Sequence, residues 1–404
     1  MLRVTPKGGG ADFLPYGCQL IEEDDIAAVT AVLRSLTLTT GPAVGQFEAA
    51  LASATGASEA VVCANGTAAL HLAGRALDIK PGATAIVPTL TFLATANAMR
   101  LCGAEIVFAD VDPATGLMEA THFAEALARC PDQRADVVLP VHLNGQTGDL
   151  EAIARLAKRN GVKVIEDACH AIGAQAHGAS VGANRHCDLT VFSFHPVKTI
   201  AMGEGGAITT NDPQIAARMR RDRSHGMTRD ASAFANPDSF DASGAPNPWS
   251  YEMHEPGFNY RANDIQCALG LSQLKKLSRF VDIRRALVAE YDSLLGDISP
   301  HVRLLTRTRA CSPAWHLYVV RIDFAAAGVA RASLMRHLAA QGIGTQVHYY
   351  PVHRQPYYAL RYGVTRLPGG DAYYEQALSL PLSARMDLDD VRRVVDALAR
   401  ALRG

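Results

Sequence analysis

The chain has 404 residues, of which 48% are apolar, and this length is enough for two domains of ordinary size. Its 39 Lys and Arg residues balance 40 Asp and Glu residues, and the net charge of -1 argues against a nucleic-acid-binding surface or a polybasic membrane patch. The eight cysteines form no C-x-x-C pair or zinc-like cluster, and no apolar run is long enough to span a membrane. These features predict a cytoplasmic protein without a metal site.

The first part of the chain alternates between two patterns. Residues 1–14 lack the apolar segment of a signal peptide, and we expect them to form a flexible tail. Short β-rich apolar runs then alternate with helical patterns up to about residue 225. The predicted strands are Ala60–Cys63, Thr84–Pro88, Glu105–Asp110, Val137–Val141, Lys163–Asp167, Leu189–Phe194 and Gly206–Thr210. The predicted helices are Thr67–Ala76, Thr91–Leu101, Asp149–Arg159 and Pro213–Arg221. This alternation is typical of an α/β fold with a mostly parallel sheet.

The pattern changes after residue 225. Residues 226–256 are rich in Asn, Asp, Pro, Ser and Gly, which predicts a long irregular segment, and a helical region follows from about Asn263. From residue 283 onward we predict a smaller α+β domain. Its elements are a strand near Leu317–Ile322 and helices at Ser333–Gln341 and Leu388–Leu402. The predicted domains are therefore 15–282 and 283–404.

Lys198 follows the apolar, aromatic-rich run Val191–Val197 and precedes a glycine-rich turn at Gly203–Gly206. A lysine held near apolar groups has its pKa lowered, because desolvation disfavours the charged form. The neutral amine can then attack an aldehyde and form a Schiff base. The alternative is a lysine at a strand end whose charged head reaches solvent, and this segment alone favours neither.

Asp167 ends the predicted strand that begins at Lys163. A carboxylate at a buried strand end needs a cationic partner to stay charged. Asp167 therefore either caps the segment after it or pairs with a protonated pyridine nitrogen. The second role is typical of enzymes that use pyridoxal phosphate (PLP), in which it accompanies a Schiff-base lysine.

Three further features suit a flat, phosphorylated ligand. The segment Asn65–Thr67 opens a helix with free N–H groups and a hydroxyl, although Thr is also an ordinary helix cap. Ser193 can add a second hydroxyl, and Phe92 can stack on a ring, although an aromatic there is more often part of the core. Because functional residues of parallel sheets lie at the carboxyl ends of the strands, we expect these segments to meet Asp167 and Lys198 at one edge.

Together these residues resemble the DegT/DnrJ/EryC1/StrS family of PLP-dependent nucleotide-sugar aminotransferases. The resemblance begins at about residue 15 and keeps its order to the C-terminus. The matching segments are Gly66–Leu70, Thr91–Asn97, Pro140–Leu143, Glu166–Ala171, Ser193–Lys198, Gly203–Gly206 and Gly257–Arg261. It implies the aspartate-aminotransferase-like fold (PLP-dependent transferase fold type I), with a mostly parallel seven-stranded sheet in the large domain. It also implies a homodimer whose active sites are shared between subunits.

The resemblance implies a role for individual residues. Lys198 corresponds to the catalytic lysine that binds the cofactor aldehyde, and Asp167 to the partner of the pyridine nitrogen. The other cofactor contacts that it implies are Phe92 on the ring, His170, the phosphate-binding Gly66, Thr67 and Ser193, and Asn259 from the neighbouring subunit.

Within the family, the C-terminal half most resembles the aminotransferases of pseudaminic acid biosynthesis, which aminate a UDP-linked 4-keto-6-deoxy N-acetyl sugar. The similar segments include Ser224–Met227, Trp315–Tyr318, Gly342–Tyr349 and Pro351–Tyr358. This similarity predicts L-glutamate as the amino donor and a nucleotide-linked 4-keto-6-deoxy sugar as the acceptor. It also predicts His348 and Tyr349 as sugar contacts. Arg261 is a candidate contact of the diphosphate, and its alternative is an ordinary salt bridge.

Two features depart from the family pattern. Asn144 stands where relatives commonly have an aromatic, and the 226–256 segment is longer than in many of them, so we expect altered substrate contacts. The alternatives are an acceptor of the GDP-perosamine or dTDP-amino-sugar type, a sugar dehydratase and a non-catalytic PLP-binding regulator. Dehydratases of this fold replace the Schiff-base lysine, so Lys198 argues against that activity. The sequence shows no appended DNA-binding module that would support a regulator.

Overall fold

The computed structural model describes residues 13–296, 298–309 and 311–403, so most of the predicted flexible tail lies outside the described residues. The helices are α1 (Glu23–Leu33), α2 (Pro42–Thr55), α3 (Gly66–Ala76), α4 (Leu93–Leu101), α5 (Ala120–Ala128), α6 (Leu150–Asn160), α7 (Pro213–Asp222), α8 (Asp264–Leu274), α9 (Leu277–Leu295), α10 (Arg331–Ala340), α11 (Pro356–Tyr362), α12 (Pro368–Gln376) and α13 (Leu388–Arg403). None of the helices in these ranges is long and apolar enough to cross a membrane.

The strands form one large sheet and three small ones. They are β1 (Glu59–Cys63), β2 (Thr84–Pro88), β3 (Glu105–Ala109), β4 (Val137–Val138), β5 (Lys163–Asp167), β6 (Gln175–Ala176), β7 (Ala179–Ser180), β8 (Leu189–Ser193), β9 (Gly206–Thr210), β10 (Met227–Thr228), β11 (Glu252–Met253), β12 (Val302–Leu304), β13 (Cys311–Ser312), β14 (Tyr318–Ile322) and β15 (Ala377–Leu380).

The large sheet has seven strands in the order β1-β9-β8-β5-β4-β2-β3. Strand β9 runs antiparallel to its neighbours β1 and β8, and the other neighbouring strands are parallel. This arrangement confirms the predicted α/β class with a mostly parallel seven-stranded sheet. All seven strands lie at the predicted places in the sequence.

The sheet buries apolar side chains on both faces, because successive residues of a strand point to opposite sides. In β1, Val61 and Cys63 belong to the core that includes α3. Ala60 and Val62 belong instead to the core that includes α2. The sheet is therefore covered on two sides, as the alternation of strands and helices predicts.

Two predicted boundaries were wrong for local reasons. Strand β4 ends at Val138, because the chain continues into Pro140, which has no N–H for a ladder hydrogen bond. Helix α4 begins at Leu93 and not at Thr91, because Phe92 is the N-cap and has an extended backbone with φ -69° and ψ 149°. This extended backbone leaves Thr91 and Phe92 in the loop at the end of β2.

The C-terminal part is built on the antiparallel sheet β12-β14-β15. Its core includes residues of α9, α10 and α13. The strand and the two helices predicted for this region are confirmed, with ends within two residues of those observed. The predicted boundary at residue 283 falls inside α9, and the division into two domains stays a prediction.

The 226–256 segment is irregular, as predicted, but it is tied together at its two ends. Strands β10 and β11 pair antiparallel. The carboxylate of Glu252 accepts hydrogen bonds from the N–H groups of Ala235 and Asn236, at 2.8 Å each, and from the hydroxyl of Ser239 at 2.9 Å. The carboxylate of Glu252 therefore links residues 235–239, in the middle of the segment, to its C-terminal end.

Arg284 of α9 is a buried guanidinium that joins separate parts of the chain, with only 1% of its surface exposed. Its Nη1 donates to the carbonyl oxygens of Trp315 and His316, at 3.3 Å each, and of Leu382 at 3.1 Å. Burial lowers the pKa of Arg284 to about 10. Because the site is buried, water cannot take the place of this charged donor, and without Arg284 the three carbonyl oxygens would lose a hydrogen-bond partner.

We expect Arg284→Leu to lower the free energy of unfolding by roughly 3 kcal/mol, because each buried acceptor left without a donor costs about 1–3 kcal/mol. Urea denaturation measures the change. Arg336→Leu, at an exposed position, is the matched control and is expected to stay within about 0.5 kcal/mol of the parent protein. A loss below about 1 kcal/mol for Arg284→Leu would contradict this assignment.

Candidate active site

A cavity of about 830 Å³ lies where β1, β2, β5 and β8 end. Its position agrees with the expectation that functional residues gather at the carboxyl ends of parallel strands. Six predicted cofactor contacts line it, namely Gly66, Thr67, Phe92, Asp167, His170 and Ser193. Lys198, His348 and Tyr349 line it as well. The structure thus brings most of the residues singled out in the sequence into one place.

Lys198 lies five residues beyond the end of β8, in a turn closed by the hydrogen bond that its backbone N–H donates to the carbonyl of His195 at 2.8 Å. Burial lowers the pKa of its amine, while the neighbouring Cys169 and Asp167 act in the opposite direction. The net shift is downward, because desolvation is the largest of these effects. An amine in this setting is neutral at a lower pH than an ordinary lysine, as a nucleophile for an aldehyde must be.

Asp167 is 5% exposed, and both of its oxygens accept hydrogen bonds. The hydroxyl of Thr95 donates to Oδ2 at 2.7 Å, and the N–H of Cys169 donates to Oδ1 at 3.2 Å. The hydroxyl of Thr91 lies 2.6 Å from that of Thr95. Since Thr95 uses its only hydroxyl proton on the carboxylate, Thr91 is the donor between the two threonines. This arrangement stabilises a negative charge that faces the cavity.

The first turn of α3 offers an anion site. Asn65 is the N-cap and accepts the N–H of Ala68 at 2.9 Å, while Gly66 and Thr67 line the cavity. A Cβ on Gly66 would lie 3.0 Å from the Cβ of Ser193 and 3.2 Å from its hydroxyl, so any larger residue would push the side chain of Ser193 aside. Helix N-termini with free N–H groups bind phosphate.

Gly206 at the start of β9 explains part of the glycine-rich turn. A Cβ there would lie 2.2 Å from the carbonyl oxygen of Asn65 and 2.8 Å from the nitrogen of Gly66. Any other residue would push the start of α3 away from the sheet. The turn therefore helps to shape the candidate phosphate site.

His170 is held in one tautomer. The backbone N–H of Asn144 donates to Nδ1 at 3.3 Å, so the proton of the neutral ring is on Nε2, which donates to the hydroxyl of Tyr349 at 3.1 Å. Burial lowers the pKa of His170 well below its usual range, and the nearby Lys198 acts in the same direction. His170 is therefore a neutral donor whose ring lies 4.3 Å from that of His316.

Asn144 supports this histidine from behind the cavity wall. Its φ of 64° is one that Asn tolerates better than an aromatic does, and its Nδ2 donates to the hydroxyl of Tyr373 at 3.2 Å. The side chain is fully buried and is not among the residues that line the cavity. The expectation of altered substrate contacts at this position stays a prediction; the side chain of Asn144 contacts Tyr373, and its backbone N–H contacts His170.

Phe92 is half exposed and lines the cavity, so it is not the core aromatic that its sequence position equally allowed. Its ring lies 6.1 Å from that of Tyr349. The exposed face is free to stack on a planar ligand.

Asn259 and Arg261 are not among the residues that line this cavity, although Tyr260 between them is. Asn259 is exposed and its backbone pairs with Ser224. A contact with the phosphate of a neighbouring subunit stays a prediction for Asn259, as does a contact with the diphosphate for Arg261.

Several residues in or beside the site were not assigned a role from the sequence, among them Thr95, Tyr16 and His316. Thr95 was detectable, because it follows Phe92 by three residues at the start of a predicted helix and so lies on the same side. Tyr16 gave no local signal, since its place in the cavity depends on contacts with segments far along the chain. His316 likewise approaches His170 only through the tertiary fold.

The residues present fit PLP. They supply an amine with a lowered pKa, a buried carboxylate for a protonated ring nitrogen, a helix N-terminus for a phosphate and an exposed aromatic face for the ring.

Comparison with known proteins gives the same answer. The model of the DegT/DnrJ/EryC1/StrS aminotransferase family matches residues 19–399. The spore coat polysaccharide biosynthesis protein SpsC of Bacillus subtilis (strain 168) is 38% identical over 399 residues, which are 97% of this chain and 98% of SpsC.

Solved structures agree with this match. PseC of Helicobacter pylori, an aminotransferase involved in the biosynthesis of pseudaminic acid, superposes with a TM-score of 0.87 at 27% identity, covering 97% of this chain and 99% of PseC. The PLP form of Spr1654 from Streptococcus pneumoniae gives a TM-score of 0.85 at 25% identity, with coverage of 97% and 99%. Its PMP form matches with a TM-score of 0.86.

The chain therefore belongs to the DegT/DnrJ/EryC1/StrS aminotransferase family, and it has the fold of the PLP-dependent sugar aminotransferases. Aminotransferases of this family depend on PLP, which is accordingly the cofactor of this protein.

We expect Thr95→Val to weaken PLP binding and slow amino transfer about tenfold, because a hydrogen bond to a charged group contributes about 1.5–3 kcal/mol and valine keeps the shape but not the donor. Thr95→Ser restores the donor and is expected to recover most of both. Titration of the apoprotein with PLP, followed by cofactor absorbance, measures the affinity separately from the rate. Equal affinities for the Val and Ser variants would refute this role of the hydroxyl.

Proposed function

We propose that this family member transfers an amino group from L-glutamate to the keto group of a nucleotide-linked 4-keto-6-deoxy sugar. The observation that carries the proposal is the amine of Lys198, whose pKa is lowered by burial, in the same cavity as the buried carboxylate of Asp167. When bound, PLP supplies the electron sink that stabilises negative charge on the reacting carbon. The residues of the chain supply the position, the charge and the proton transfers.

Lys198 acts in two ways under this proposal. Its neutral amine binds the cofactor aldehyde in the resting protein. Once the amino donor has taken that place, Nζ removes the proton from the donor's α-carbon and later returns a proton to the carbon of the acceptor that becomes aminated. A base with a lowered pKa is suited to both directions, because general acid–base catalysis is most effective when the pKa lies near the working pH.

Asp167 pairs with the ring nitrogen of the cofactor and keeps that nitrogen protonated. Its carboxylate is kept in place by Thr95 and by the N–H of Cys169. His170, fixed as a neutral donor by Asn144, lies next to the same cavity wall and orients the hydroxyl of Tyr349.

The acceptor that we propose is the UDP-linked 4-keto-6-deoxy N-acetylhexosamine of pseudaminic acid biosynthesis. Support comes from the structural similarity to PseC and from the C-terminal segments that resemble this subfamily. Two residues of these segments, His348 and Tyr349, line the cavity. The identity to SpsC is higher, at 38% against 27% for PseC. This higher identity supports a second candidate acceptor, a nucleotide-linked keto sugar that is used for a polysaccharide and not for pseudaminic acid. Acceptors of the GDP-perosamine or dTDP-amino-sugar type are examples.

We further propose a cytoplasmic homodimer in which each subunit completes the site of the other. Asn259 supports this arrangement, because it is exposed and lies beside the cavity-lining Tyr260 but not in the cavity of its own chain. The cytoplasmic location rests on the cysteine pattern, and all eight cysteines are free.

We expect Lys198→Ala to reduce amino transfer by about 10³-fold or more, since it removes both the amine that binds the aldehyde and the group that moves the proton. The control is Lys80→Ala, at an exposed position away from the cavity, which is expected to match the parent protein. Product formation from glutamate is measured by mass spectrometry. Turnover by Lys198→Ala within tenfold of the parent would refute the role of Lys198.

The substrate is tested with the PLP-loaded protein, L-glutamate and a panel of UDP-, dTDP- and GDP-linked 4-keto sugars. We expect an amino sugar from the UDP-linked N-acetyl substrate. Transfer to only a dTDP- or GDP-linked sugar would reject the pseudaminic acid substrate and support the second candidate. Spectral change of the cofactor with glutamate but no transfer to any keto sugar would contradict the proposed acceptor class.

A further inference from the structure

Tyr16 lines the cavity, yet none of the roles described so far uses it. It belongs to a segment that we call the N-terminal strap, residues 13–20, which precedes α1. The strap is attached to the C-terminal part of the chain by backbone hydrogen bonds. Leu14 pairs with the turn Gly342–Gly344 through two bonds of 2.8 Å, and the carbonyl of Tyr16 accepts the N–H of Leu382 at 3.0 Å.

The strap is also attached to the other side of the cavity. The side chain of Gln273 in α8 donates to the carbonyl of Leu20 at 3.0 Å. A Cβ on Gly17 would lie 3.7 Å from the Cβ of Val197, the residue before Lys198. The hydrogen bonds at Leu14, Tyr16 and Leu20 fix the backbone on both sides of Tyr16 and so place its side chain at the cavity.

Tyr16 ends a row of rings along one cavity wall. Its ring lies 5.3 Å from that of His348, which lies 4.8 Å from that of Tyr349. Tyr349 in turn lies 6.1 Å from Phe92, the candidate ring-stacking residue. All four side chains line the cavity, and Tyr16 stands at the opposite end of the row from Phe92.

This wall is uncharged. Burial raises the pKa of Tyr16, raises that of Tyr349 well above its usual range and lowers that of His348 to about 3. A neutral wall offers no ion pair to a dicarboxylate amino donor. It does suit a sugar ring, since a tyrosine combines an apolar face for the C–H groups with a hydroxyl for a polar edge.

We infer that Tyr16 contacts the sugar ring of the amino acceptor and sets the affinity for that substrate, an inference that rests on the proposed function. Its part is confined to the acceptor half of the reaction. The donor half, in which glutamate delivers its amino group, does not depend on it.

The two half-reactions are measured separately by stopped-flow absorbance of the PLP-loaded protein. One mixes it with L-glutamate, and the other mixes the aminated protein with the UDP-linked 4-keto-6-deoxy-N-acetyl sugar or, failing that, with whichever keto sugar of the panel the parent protein accepts. For Tyr16→Ala we expect the half-saturating acceptor concentration to rise at least about tenfold, while the rate and half-saturation with glutamate stay within about twofold. Tyr16→Phe keeps the ring, and its half-saturating acceptor concentration is expected to lie between those of the parent protein and Tyr16→Ala.

Cys18→Ser is the matched control within the strap. Its side chain points to the hydroxyl of Ser383, at 3.5 Å, and it is not among the residues that line the cavity. It is expected to match the parent protein in both half-reactions. The unchanged donor half-reaction also shows that a Tyr16 variant is folded and binds its cofactor.

The outcomes separate the inference from the proposed function. An unchanged acceptor half-reaction in Tyr16→Ala, or equal losses in both half-reactions, would overturn the role of Tyr16 alone. A parent protein that reacts with glutamate but with no keto sugar would overturn the proposed function, and the role of Tyr16 with it.

Discussion

The site depends on the burial of one amine beside one carboxylate. Desolvation lowers the pKa of Lys198, and the negative charge of Asp167 opposes that shift without cancelling it. The sheet fixes this balance, because β5 and β8 are parallel neighbours, with Asp167 opposite Val191 in the register. Both chain segments therefore leave the sheet at the same edge. On the function we propose, the place of Lys198 in the fold makes its amine reactive, because burial there lowers its pKa.

The remaining parts of the site require close contact between segments that are distant in sequence. Gly206 can approach Asn65 only because it carries no Cβ, and the absence of a Cβ on Gly66 leaves room for the side chain of Ser193. These contacts bring the N-terminus of α3 next to the end of β8, so that the candidate phosphate site and the amine share one cavity. Another part of the lining is a row of neutral rings, and burial lowers the pKa of His170 while the N–H of Asn144 sets its tautomer. A site of this kind has its charges at the cofactor and an uncharged surface for a sugar.

The strands of the large sheet were predictable because fully buried parallel strands are short, β-rich apolar runs, and all seven lie where those runs do. The errors lay at the ends of elements: β4 ends before Pro140, which has no N–H for the sheet, and α4 begins after Phe92, whose backbone is extended. The apolar surroundings of Lys198 singled it out without deciding whether it is reactive, and the role that we predict for it came from the family resemblance. Tyr16 was not recognisable, because tertiary contacts of the strap alone bring it to the cavity. The burial of Asn144 outside the cavity lining was not predictable, since a sequence does not show whether a side chain faces a cavity or supports a neighbour that does.

The central claim is that the amine of Lys198 binds PLP. It is tested most directly by reducing the PLP-loaded protein with borohydride, digesting it and locating the pyridoxyl group by peptide mass spectrometry. The account predicts that the label lies on Lys198 and that glutamate added before reduction removes it. A label on another lysine, or no covalent label in a protein that still binds PLP, would contradict the account.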